Sequence, residues 1–131
     1  MPSFLKSLCV GLAVAVFAAG SVAASGAFPP KTVSAGGVVV TVKPLQPSAS
    51  HWDFDIALNT HTQELSDNLV QSASLVIGGK TIGAVSWLGD PPGGHHRKGV
   101  LRFNAVEPQA REFELWIMRP GESAARVLRW H

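Results

Sequence analysis

His51-Trp52-Asp53-Phe54-Asp55-Ile56-Ala57-Leu58-Asn59 alternates without a break. Trp52, Phe54, Ile56 and Leu58 fall on one side, and His51, Asp53, Asp55 and Asn59 on the other. Successive side chains of a strand point to opposite faces. This pattern therefore marks a half-buried strand with its apolar row inward and its carboxylates in water.

The segments on either side are of the same kind. Val38-Val39-Val40-Thr41-Val42-Lys43 is β-branched and halts at Pro44, a second strand upstream, with a turn over residues 45–50. Downstream, residues 60–71 form a longer crossover in which Ser66-Asp67-Asn68 is placed to cap a single helical turn. Strands are expected over residues 72–77 and 81–88, joined by a tight Gly78-Gly79 turn, and over residues 97–103 after Pro91-Pro92-Gly93-Gly94. Glu107-Pro108-Gln109 makes another turn. In residues 111–118, Phe113, Leu115 and Ile117 oppose Glu112, Glu114 and Trp116. Pro120-Gly121 turns the chain into a last strand over residues 125–130. Seven short strands with regular turns and no long helix specify an all-β, single antiparallel sandwich of immunoglobulin-like architecture. A small closed barrel is the second solution.

Residues 1–24 read as an export signal. Lys6 supplies the positive start, residues 8–19 an unbroken apolar core, and Val22-Ala23-Ala24 a small-residue cleavage site. The apolar run is shorter than the roughly 20 residues a membrane span needs, so no stable membrane anchor is expected after cleavage. Cys9 lies at the front of the apolar core, the wrong side for lipidation. A periplasmic or secreted protein follows, with residues 25–36 as a loose, Pro-containing lead and residues 37–131 as the sandwich. The chain has 11 Lys+Arg against 9 Asp+Glu, and losing Lys6 leaves a margin of one. With no basic stripe, that balance excludes nucleic acid as a partner. Losing Cys9 removes the only cysteine, and with it thiolate metal sites and cysteine nucleophiles.

Strand order brings distant residues together. If successive strands alternate in direction, residues 60–71, 89–96 and 119–123 share one end of the sandwich. His61, His95 and His96 then converge there, with Glu64, Asp67, Asp90 and Glu122 beside them, while His51 and His131 go to the other end. Imidazole and carboxylate without thiolate suit copper or zinc, and a stiff turn lowers the entropy cost of placing His95 and His96. On a regular strand, however, His95 shares the inward parity of Leu101 and Phe103, and His96 points outward. Such histidines also serve simply to fix loop geometry. Trp52 reads as core and Trp87 as an anchor beside a turn, whereas Trp116, opposite in parity to Leu115, is a candidate surface contact. Asp53 and Asp55 read as a solvated face. No nucleophile elbow, phosphate loop or interleaved basic and aromatic surface is present.

The blocks Trp52-x-Phe54-x-Ile56-x-Leu58-x-Thr60-His61 and Gly93-Gly94-His95-His96-Arg97-x-Gly99-x-Leu101-x-Phe103, with Trp87-x-Gly89 between them and Arg129-Trp130 at the end, resemble a family of small, uncharacterised exported prokaryotic β-domains. The likeness covers most of the mature chain. It implies a secreted β-domain in which His61, His95 and His96 belong to one shared pattern, and it supplies no reaction. Thr62-Gln63-Glu64 departs from the family's pattern of a serine and then an aspartate before the leucine. Two readings follow. One is an exported, non-catalytic protein binding copper or zinc through its loop histidines. The other is a structural or interaction domain, without a metal, that contacts a protein or envelope partner. A metal-assisted enzyme ranks third, because catalytic zinc requires three protein ligands and an open position.

Overall fold

The computed structural model describes residue 15 and residues 28–106 and 111–131. The expected export signal and the turn expected at Glu107-Pro108-Gln109 lie outside the described residues, apart from Ala15. Among the described residues nine strands form two antiparallel sheets, packed as a sandwich. They are β1 (Lys31–Ala35), β2 (Val38–Pro44), β3 (His51–Thr60), β4 (Ala73–Ile77), β5 (Lys80–Gly83), β6 (Ser86–Gly89), β7 (His96–Asn104), β8 (Phe113–Ile117) and β9 (Arg126–Trp130). One sheet has the order β1-β2-β3-β7-β6 and the other β5-β4-β8-β9. One helical turn, α1 (Leu69–Ser72), precedes β4; Asn68 caps it, its side chain accepting from the Gln71 N–H.

The alternation at residues 51–59 is borne out in β3. Trp52, Phe54, Ile56 and Leu58 are buried, and between them residues are half-buried or exposed. β3 pairs with β2 on one side and β7 on the other, which makes it the centre of its sheet.

Two expectations need correction. The single strand expected over residues 81–88 is two, β5 and β6, in different sheets, with the crossing at Ala84-Val85. β5 and β6 run in the same direction, so the broken strand still delivers residue 89 to the end that simple alternation requires. The lead read as loose contributes β1, in register with β2 from Lys31↔Val42 to Ala35↔Val38. Ahead of it Phe28 packs edge-on against Phe113 at 4.8 Å, and the Pro29 carbonyl accepts from Trp130 Nε1 at 2.8 Å. A lead with so few apolar residues takes its order from the strand edge and aromatic cluster it docks on, not from its own pattern.

The core is graded along its length. Trp52, Phe54, Phe103, Phe113 and Trp130 cluster at the end where β3 begins and β9 finishes, with Phe113 stacked on Trp130 at 5.1 Å and edge-on to Trp52 at 4.5 Å. Aliphatic side chains fill the middle. At the far end the inward rows change chemistry.

Candidate functional site

That far end is where the loops meet, as strand alternation predicts. The Thr60 N–H donates to the His95 carbonyl, Leu65 N–H to Gly94 and Gly93 N–H to Leu65, each at 2.9 Å. Residues 60–65 are therefore zipped to residues 93–95. Gly93 and Gly94 sit at φ 118° and 73°, backbone that L side chains rarely adopt, which is why two glycines stand here.

Beneath the zipped loops lies a layer of buried polar side chains. Thr60, Asp67, Arg97, Arg119 and Arg126 are each under 7 % exposed, and they are the buried polar residues among those described. All five sit at this end. Three extend an apolar row by one inward position: Thr60 beyond Leu58, Arg119 beyond Ile117, and Arg126 before Leu128 and Trp130; Arg97 continues the row of Leu101 and Phe103 across Gly99.

Each arginine ties a strand to a loop or to the opposite sheet. Arg119 clamps the Asp67 carboxylate through Nε at 2.8 Å and Nη2 at 3.2 Å, and Nη1 donates to Gln63 Oε1 at 3.1 Å. Arg126 on β9 donates to the Val38 and Ala35 carbonyls of the other sheet, both at 2.7 Å, and pairs with Glu122. Arg97 donates through Nη1 to the Leu65 and Asp67 carbonyls at 3.1 and 2.7 Å, its guanidinium 5.5 Å from the Trp87 ring centre. Its buried Nε has no partner among the described residues. Thr60 completes the brace: its hydroxyl donates to the Gly37 carbonyl at 2.8 Å and accepts from the N–H groups of Thr62 and Gln63.

The sequence-derived candidates fall around this layer. His61 and His95 are exposed. His96 opens β7 on the outer face, where Nδ1 lies 2.7 Å from Asn59 Oδ1. The inward parity assigned to His95 belongs in fact to Arg97, because regular strand begins only at His96. Asp67, offered as an additional ligand, is the buried partner of Arg119, and both its oxygens are engaged. Asp90 is exposed and accepts from the Lys98 N–H at 3.0 Å; Glu64 is exposed. Glu122 lies between Arg119 and Arg126. Among the described residues no group of three His, Cys, Asp or Glu side chains is close enough to hold a metal ion. Trp116 is 40 % exposed on the outer face of its sheet.

The arginine layer has no counterpart among the site residues expected from sequence. A signal is available, since Arg97 and Arg126 share parity with the apolar rows of β7 and β9 and Arg119 continues that of β8.

No protein-family model matches the chain, and no curated protein does. A solved structure from Listeria monocytogenes EGD-e, described as a functionally unknown protein, is similar at a TM-score of 0.53 and 12% identity, covering 81% of this chain and 87% of that one. At that identity the likeness shows the fold alone.

Proposed function

We propose that the chain is an exported, non-catalytic recognition domain that contacts a protein partner with the zipped loops at residues 60–67, 89–96 and 119–122. The observation that carries this reading is that every described buried polar residue lies within or directly beneath those loops. Buried ion pairs add little net stability over apolar packing of the same volume. Their use at one end only supports a role in fixing loop shape, which lowers the ordering cost of binding. Asp67 and Glu122 are engaged by arginines, which supports recognition over acid–base chemistry at this end.

The copper or zinc reading requires His61 and His95 to move toward His96, so the geometry favours it less. Site-specific photo-crosslinking in the envelope of the source cells tests the choice. A crosslinker at His95 is expected to give one discrete protein adduct that a crosslinker at Asn104, at the opposite end, does not. Matching adducts at both positions, or none, overturn the loop-end reading. If copper(II) or zinc raises the melting temperature, and His61→Ala and His95→Ala each abolish that rise, the metal reading replaces it.

A further inference from the structure

The outer face of the β5-β4-β8-β9 sheet carries a second arrangement. Along β8 and its approach, Glu112, Glu114 and Trp116 point outward in sequence, and β9 sets Arg129 opposite Glu114 and Val127 opposite Trp116. Glu112 and His131 lie just beyond the Phe113–Trp130 rung, outside β8 and β9. Glu112, Glu114, Arg129 and His131 line a pocket of about 390 Å³ floored by Val76 and walled by the Gly78-Gly79 turn. That volume lies within the range of small-ligand pockets.

Trp116 is not itself a lining residue but adjoins this pocket through Glu114, the lining side chain to which it is hydrogen-bonded. Its Nε1 donates to Glu114 Oε2 at 2.6 Å, and Glu114 Oε1 accepts from Arg129 Nε at 2.9 Å. The bond from Trp116, and then those from Arg129, hold the Glu114 carboxyl below its ordinary range, so the acceptor stays ionised. A bond to the residue two back on the same face lays the indole along the strand. With its N–H engaged, the ring offers incoming molecules its π-face and no hydrogen bond.

We infer that this pocket and the pinned Trp116 form a binding site for a saccharide. The ligand must present a flat face of C–H groups to a negative π-surface and hydroxyls to carboxylate, guanidinium and imidazole in the adjoining pocket. A sugar ring meets both demands. A nucleic acid would also stack, but its phosphates would meet Glu112 and Glu114. An apolar peptide would have to desolvate both carboxylates without replacing their hydrogen bonds. The site uses the outer face of this sheet and none of the loop residues, so its failure leaves the proposed protein-binding role untouched.

Titration calorimetry with chitotetraose and cellotetraose, together with co-sedimentation on purified peptidoglycan sacculi, tests the inference. The wild-type chain is expected to bind at least one of the three, with Trp116→Ala at least tenfold weaker, Trp116→Phe intermediate and Glu114→Gln weakened. Binding to sacculi alone identifies a wall polymer, and binding to the soluble sugars alone a free oligosaccharide; both uphold the site. Unchanged melting temperatures in the Trp116 variants separate lost contact from lost fold, as expected for a side chain 40 % exposed. The inference is overturned if no probe binds the wild type more tightly than Trp116→Ala, or if Trp116→Ala instead loses binding to a single-stranded oligonucleotide.

Discussion

At the scale of single residues, parity says more than polarity. Asp53 and Arg102 face each other across β3 and β7 on the outer surface, joined by two bonds of 2.8 and 2.9 Å. The Arg102 bonds hold the Asp53 carboxyl below the usual aspartate range, with His51 a smaller contributor. A carboxylate lowered in the folded state adds stability that is fully present above its unfolded value, near about 3.9. That increment is lost as pH falls through the lower, folded value. Asp53→Asn is therefore expected to be slightly less stable than wild type at pH 7, with the gap closing as pH falls below about 3.9 and through the lower folded value. Urea midpoints across that range check it, and a gap that persists or widens in acid would count against the pair. Asp53 was read correctly as outward. Arg97, Arg119 and Arg126 are not legible as inward, although Arg97 and Arg126 occupy inward positions of their strands and Arg119 continues the inward parity of β8, because burying a guanidinium needs partners that lie far away in the chain. Arg119 finds Asp67 and Arg126 finds the Val38 carbonyl, contacts between residues 52 and 88 apart that no local pattern records.

Among the elements, β3, β7 and β8 were legible because one face is apolar and the other is not. β1 and the β5–β6 break were not. β1 is a largely exposed edge strand, and Ala84-Val85 carries no proline or glycine to mark the change of sheet. A glycine pair does show how β6 is held. Gly89 and Gly99 face each other in register, and a Cβ on Gly99 would stand 2.6 Å from the Gly89 Cα, 2.6 Å from the Leu88 carbonyl oxygen and 2.8 Å from the Trp87 ring. Glycine at both positions lets the strands close and Trp87 lie across β7. Gly99→Ala is expected to cost about 1–3 kcal/mol through overpacking. Gly83→Ala, where nothing lies within 4 Å, is expected to stay within about 0.5 kcal/mol of wild type. Equilibrium unfolding in urea compares them, and equal midpoints would contradict the close approach.

Across the whole molecule the two ends differ in kind. Aromatic rings pack one end, and an arginine layer with zipped loops above it makes the other. The meeting of three loops at one end was legible from strand alternation alone. The histidines were not brought together as ligands, because sharing an end does not aim side chains at one point: His96 turns to Asn59 on the outer face. If the arginine layer shapes loops more than it supplies stability, the two roles separate on exchanging the buried pair for apolar side chains. Removing one partner of such a pair costs about 3–5 kcal/mol, whereas replacing both with apolar residues of similar volume is close to neutral. Hydrogen exchange at the Thr60, Leu65 and Gly93 amides, in wild type and in Asp67→Leu/Arg119→Met, tests this most directly. The expected result is slow exchange in wild type, with fast exchange at those three amides in a double variant whose urea midpoint is nearly unchanged. Unaltered protection of the three amides alongside a large fall in stability would contradict it.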